Sequence, residues 1–280
     1  MSLRSKIHDT LGPRAAASSS FSAAIRILLI NPNSTVAFTK DVLNHLATTI
    51  PDDVIIDFYT APSGAPASID GTEDGALSAQ VIQQDLNLNF DADFDETNST
   101  VVKELMEGFS GVIVACFSMH PLVDILRRLF ANVKGKGVEK ARKPAVLGIM
   151  ESAILGALPL GQKVGIATTG EQWEPLFDQG IQDLGISSTR YAGTKGTGFN
   201  AISLHGSGPQ EALLRASEWL VEEKGADVIV LGCGGMAPMR STLEDDLAKR
   251  MGRRVPVVDG VQAAVDQAIG FARMGVAPRV

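Results

Sequence analysis

Cysteine is scarce in this chain, with two residues in 280. That argues against a disulfide framework, and both thiols end apolar runs, which fits reduced cysteines in a cytoplasmic setting. Aromatic residues make up only 5%, and positive charge is in deficit: 25 Lys and Arg face 32 Asp and Glu, a formal net charge of −7. With no basic stripe either, a nucleic-acid partner is excluded. No apolar run approaches the roughly 18 residues needed to cross a bilayer, so no membrane span is expected. The four histidines, His8, His45, His120 and His205, show no ligand spacing among themselves or with the cysteines, which points away from zinc. No glycine-rich strand-to-helix turn accompanies the basic stretch 133–142, so it reads as a solvated loop and not as a phosphate site. No metal and no cofactor are expected. What remains is an aliphatic chain, 45% hydrophobic with 28 glycines, as in α/β enzymes with buried parallel sheets.

The two cysteines occupy matching places in a repeat. Gly111-Val-Ile-Val-Ala-Cys116-Phe-Ser and Asp227-Val-Ile-Val-Leu-Gly-Cys233-Gly-Gly are β-branched runs that end on cysteine and break into small residues. Before each comes a strand with a polar end: Arg26-Ile-Leu-Leu-Ile-Asn31 in the first half, Lys163-Val-Gly-Ile-Ala-Thr168 in the second. After each comes a strand opened by proline, at Pro144 and Pro256. A duplicated chain with one cysteine per half predicts two pseudo-twofold-related lobes whose thiols face each other.

Short aliphatic runs alternate with amphipathic stretches along the chain. Strands are expected at 25–30, 54–59, 111–115, 145–149, 163–168, 227–232 and 255–258. Helices are expected at 36–46, 70–86, 101–108, 121–130, 151–158, 171–184, 209–224, 238–251 and 261–271. Thr169-Gly-Glu-Gln172 matches a capping box for the helix at 171–184. Residues 87–99 read as an exposed acidic insertion and 190–208, rich in Gly, Ser and Thr, as a long loop. Residues 1–24 are Ser/Ala-rich without periodicity; a transit peptide has a similar composition, and a disordered leader is the simpler reading. Strand–helix alternation implies parallel sheets with right-handed crossovers, which bind ligands beyond the carboxyl ends of their strands. Asn31, Cys116, Thr168 and Cys233 all fall at such ends.

A thiol facing a helix N-terminus meets backbone N–H groups that lower its pKa from about 8.5 towards neutrality. Phe117 and Ser118 after one cysteine, Gly234 and Gly235 after the other, would aim donors at the oxygen of a carboxylate or of a forming enolate. Two thiols on opposite faces of a carbon can move a proton in either direction, one as thiolate and one as thiol. That is racemisation or epimerisation without metal or pyridoxal. Asn31 and Ser34 are read either as substrate contacts or as helix caps. His120 is read as a group tuning Cys116 or as a surface histidine at a helix start, and Glu151 as a ligand contact or as a first-turn acid serving the dipole.

At Ile30-Asn-Pro-Asn-Ser-Thr35, Pro66-Ala-Ser-Ile-Asp70, Ala115-Cys-Phe117, Gly148-Ile-Met-Glu-Ser-Ala153 and Val230-Leu-Gly-Cys-Gly-Gly-Met236, the chain resembles the aspartate/glutamate racemase superfamily, within it the hydantoin and allantoin racemase branch. The resemblance runs in order over most of residues 25–272. It implies two flavodoxin-like lobes with the active site in the cleft between them, and cofactor-independent two-base chemistry. Cys116 and Cys233 would be the acid and base. Asn31, Phe117 and Gly234 would hold substrate oxygens or ring amides, and Thr168 would line the second lobe. The last helix would return to the first lobe, so that residues 25–158 plus 261–280 form one lobe and 159–260 the other. The acidic stretch 87–99, the basic stretch 131–142 and the leader are additions to the compact pattern.

The expected activity is therefore racemisation of a small-molecule substrate, a cyclic ureide such as a hydantoin or allantoin, by a homo-oligomer. An amino-acid racemase of the aspartate/glutamate type is the alternative within the superfamily. A two-lobed protein that holds a metabolite without turning it over is the alternative outside enzymology.

Overall fold

The computed structural model describes residues 2–12, 25–88, 100–132, 143–200, 203–204 and 207–276. They divide into two α/β units, one of Met1–Ala115, His120–Leu147 and Val265–Val280, the other of Cys116–Met119 and Gly148–Ala264.

The first unit is built on a five-stranded sheet of β1 (Asp9–Leu11), β2 (Ile25–Asn31), β3 (Val54–Thr60), β4 (Gly111–Val114) and β5 (Ala145–Gly148), in the order β1-β3-β2-β4-β5. Residues 27–31 of β2 and all of β4 are buried, which is why these strands read as unbroken aliphatic runs with no alternation. β2 pairs in parallel with β3, from Ile25 opposite Val54 to Asn31 opposite Thr60, and with β4, from Ile27 opposite Gly111 to Ile30 opposite Val114. Its helices are α1 (Val36–Leu46), α2 (Thr72–Asp85), α3 (Thr100–Gly108) and α4 (Pro121–Asn132). α4 starts on proline, whose missing N–H is no loss in a first turn, and buries Leu122, Val123, Leu126, Leu129 and Phe130 along one face.

The second unit has a four-stranded sheet of β6 (Val164–Thr168), β7 (Tyr191–Gly196), β8 (Val228–Leu231) and β9 (Val257–Asp259), ordered β7-β6-β8-β9 with every pair parallel. Its helices are α5 (Ile149–Ala157), α6 (Trp173–Asp183), α7 (Ser207–Glu222) and α8 (Arg240–Met251), and α9 (Gly260–Met274) closes the chain. Helix α8 begins two residues later than the sequence predicts, because Gly234–Met239 forms a 3-10 turn with Pro238 inside it.

Three expectations are corrected. Residues 2–12 are not a disordered leader. Leu3 is buried, Ser2 Oγ and the Leu3 amide donate to Glu104 at 2.6 Å each, and Lys6 pairs with Asp85 at 2.5 Å. β1 then covers the edge of β3, antiparallel, with Thr10 Oγ1 donating to Asp57 at 2.7 Å. This anchoring runs to residues 47 to about 100 positions away and leaves no periodic trace in the segment itself. Residues 190–208 are not one long loop, since β7 forms an edge strand there. Its Gly196 N–H donates to Glu174 at 2.9 Å, and Tyr191 donates to Asp178 at 2.5 Å. The capping box does not form either. α6 starts at Trp173 without a side-chain cap, while the Thr169 carbonyl accepts from the amides of Thr197 and Gly198 at 2.7 and 3.1 Å. At the start of the acidic stretch Leu88 is buried. Residues 89–99, the basic stretch 133–142, residues 13–24 and His205 lie outside the described residues.

Candidate active site

The two cysteine strands end in the same hydrogen-bond register. The Ala115 amide donates to the Ile30 carbonyl at 2.8 Å, and the Gly232 amide donates to the Ala167 carbonyl at 2.8 Å. Each cysteine therefore stands two residues beyond the last paired residue of its strand, Val114 before Cys116 and Leu231 before Cys233. The repeat read from the sequence is thus a repeat in backbone pairing. Both cysteines are thiols and half-buried.

The turn after Cys116 is held from within. The Ser118 amide donates to the Cys116 carbonyl at 3.0 Å, and the Ser118 hydroxyl lies 3.3 Å from the Cys116 sulfur. Phe117 is buried edge-on against Phe177 with centroids 5.1 Å apart, and Phe177 in turn stacks on Trp173. This turn, Cys116–Met119, packs with the second unit. Of the expected site residues the second unit therefore holds Cys116, Phe117, Ser118, Thr168, Cys233, Gly234 and Gly235, and the first holds Asn31 and Ser34.

Cys233 is extended (φ −154°, ψ 135°) and opens the 3-10 turn, its carbonyl accepting from Met236 at 3.0 Å. Gly235 lies beside its sulfur. A Cβ at Gly235 would lie 3.0 Å from Leu204, a tight approach, and 3.7 Å from the Cys233 sulfur, in ordinary contact with it.

Asn31 is tied into the turn that follows it. Its side chain is wholly buried: Nδ2 donates to the Thr35 carbonyl at 3.1 Å and to Thr39 Oγ1 at 3.0 Å, and Oδ1 accepts from the Asn33 amide at 3.0 Å. These bonds join the Asn31 side chain to the turn at 33–35 and to α1. Ser34 serves the same loop, its amide donating to Pro66 at 2.9 Å and its hydroxyl to Ala65 at 3.0 Å. Two separate sequence motifs are joined by these bonds. Thr168 is likewise buried and donates to the Gly232 carbonyl at 2.9 Å. Glu151 lies in the first turn of α5, where a carboxylate complements the helix dipole.

His120 is not a surface residue. It is 2% exposed, and its Nδ1 accepts from the Leu122 amide at 3.2 Å, capping α4. The ring proton then resides on Nε2, which is buried with no partner among the described residues. Burial pushes the imidazole down from 6.5 to about 4. Above pH 6.5 both folded and unfolded chains hold it neutral, so it has no effect on stability. Between pH 6.5 and 4 only the unfolded chain takes up the proton, so stability falls as pH falls, by on the order of 3 kcal/mol in total. Urea unfolding across that window should show this slope in the wild type and a flatter one in H120Q; equal slopes would remove His120 as the cause.

Among the described residues no group of three or more His, Cys, Asp or Glu is arranged to hold a metal ion. None of their helices is long and apolar enough to cross a membrane.

The profile of the Asp/Glu/hydantoin racemase family matches residues 27–268. The chain belongs to that family. It is 36% identical to an uncharacterized protein of Schizosaccharomyces pombe over 253 residues, 89% of this chain and 93% of that one. It is 28% identical to hydantoin racemase of Rhizobium meliloti over 250 residues, 87% of each chain. The allantoin racemase structure from Klebsiella pneumoniae superposes with a TM-score of 0.71 at 26% identity, covering 91% of both chains. Membership in the Asp/Glu/hydantoin racemase family makes this protein an isomerase, and the family's α/β architecture with predominantly parallel sheets is the one found here.

Proposed function

We propose that the protein is a cofactor-independent racemase that uses Cys116 and Cys233 as acid and base at the C–H of a cyclic ureide, a hydantoin or allantoin. The observation that carries this reading is the register equivalence of the two half-buried thiols, each two residues beyond a buried parallel strand. The similarity to hydantoin racemase and to allantoin racemase supports the substrate class. In such a ring the proton sits between a carbonyl and a nitrogen. One thiolate removes it, the C–H electrons move into the carbonyl to give an enolate, and the other thiol returns a proton to the opposite face. The sulfur that gave its proton is left as thiolate, so the reverse turnover starts from the product. General acid–base groups contribute about 10²–10⁴-fold each. The amides of Phe117, Gly234 and Gly235, with the Ser118 hydroxyl 3.3 Å from the Cys116 sulfur, would be the donors for the enolate oxygen. The chemistry requires both sulfurs to stay reduced, which suits a cytoplasmic enzyme.

Proton NMR in deuterated buffer tests the proposal, with single enantiomers of allantoin and of 5-substituted hydantoins. Loss of the ring C–H signal together with optical rotation, above the spontaneous rate, is the expected result. No exchange with any ureide by folded, reduced protein would reject the ureide reading. Aspartate and glutamate, run alongside, identify an amino-acid racemase, and ligand binding without exchange identifies a binding protein.

A further inference from the structure

Asn31 and Thr168 hold equivalent places in their sheets but use their side chains differently. Asn31 turns into its own loop, whereas Thr168 reaches across to the neighbouring strand. Its hydroxyl donates to the Gly232 carbonyl at 2.9 Å, and the Gly232 amide donates to the Ala167 carbonyl at 2.8 Å. The residue just before Cys233 is thereby tied to β6 through both its amide and its carbonyl. The fit is close: a Cβ on Gly232 would lie 2.6 Å from Thr168 Cβ and 2.7 Å from its Oγ1, closer than Cβ atoms approach, so only glycine lets the two strands meet here. Thr168 is wholly buried, and its one hydroxyl proton is committed to this bond.

We propose that Thr168 is a positioning residue for Cys233, fixing the direction in which β8 delivers the thiol by holding the Gly232 carbonyl, and that it does not hold substrate itself. The proposal rests on the racemase reading above. Cys116 has a separate support in Ser118, so loss of the Thr168 bond should disturb one thiol and spare the other. Displacements of about 1 Å in a reacting group lower rates by up to roughly 10²-fold.

Thr168→Val keeps the shape and removes the donor; Thr168→Ser keeps the donor. The expected result for Thr168→Val is a fall in kcat of about 10–100-fold with KM nearly unchanged. Deuterium exchange without inversion should persist for the enantiomer that Cys116 deprotonates, and Thr168→Ser should recover inversion. Iodoacetamide labelling read by mass spectrometry should change at Cys233 and stay constant at Cys116. Thermal melting checks the fold, and Thr168→Ala carries the same measurements if the valine variant does not fold. A raised KM with unchanged kcat would overturn the proposal by making Thr168 a substrate contact. Wild-type labelling and inversion in the folded variant would overturn it as well. If the wild type inverts no substrate, the racemase reading fails, and labelling alone decides: a change confined to Cys233 supports the positioning role and no change rejects it.

Discussion

Cys116→Ser and Cys233→Ser should each lower inversion by about 10²–10⁴-fold while leaving the fold intact. Serine is the smaller of the two and fits these half-buried positions without a clash, so the main change is chemical. A thiol gives up its proton near pH 8.5, within reach of an enzyme working at neutral pH; a hydroxyl does not approach that without a base beside it. The two variants should differ in what they retain. With Cys233 replaced, Cys116 still removes and exchanges the proton of the enantiomer it faces, but no thiol completes the inversion. With Cys116 replaced, the other enantiomer exchanges. Measuring exchange and optical rotation separately for each enantiomer distinguishes this mirror-image pattern from a general loss of activity. If both variants kept full inversion, the two-thiol mechanism would be wrong.

Arg26→Met should cost about 3–5 kcal/mol of stability, because it strands a buried carboxylate. The Asp57 side chain is fully buried on β3, and its Oδ2 accepts from Arg26 Nε at 2.5 Å while Oδ1 accepts from Thr10. Arg26 itself is 39% exposed and lies over the Phe109 ring at 5.8 Å, so its own desolvation is partial. Among the described residues, its removal leaves Asp57 with one neutral donor, Thr10 of β1. Urea unfolding reads the loss. Arg26→Met combined with Asp57→Leu should recover much of it, since an apolar pair needs no counter-charge. A loss below about 1 kcal/mol for the single variant would mean that the pair behaves like an exposed one.

Local patterns reported the regular parts of this fold faithfully. The helix expected at 36–46 is Val36–Leu46, and the apolar run from Ile25 is the central strand of the first sheet. Both depend on residues within a few positions of one another, which a periodic reading captures. The matched placement of Cys116 and Cys233 was legible for the same reason, because a duplicated strand carries its cysteine along with it. Segments whose order depends on distant partners were misread. Residues 2–12 hold their place through Asp57, Asp85 and Glu104, and β7 through Glu174 and Asp178. Neither pattern contains those residues.

By itself, the sequence determined the α/β class, the two repeats and which residues stand at the strand ends, since burial of aliphatic runs and chain order settle these. Only the tertiary structure decided what each polar group there does. Asn31 closes a loop, Ser34 joins that loop to Ala65 and Pro66, Thr168 ties Gly232, and His120 is a buried neutral cap. The physical reason is that a hydroxyl or amide has one or two protons to give. Which acceptor receives them depends on what folding brings within 3 Å.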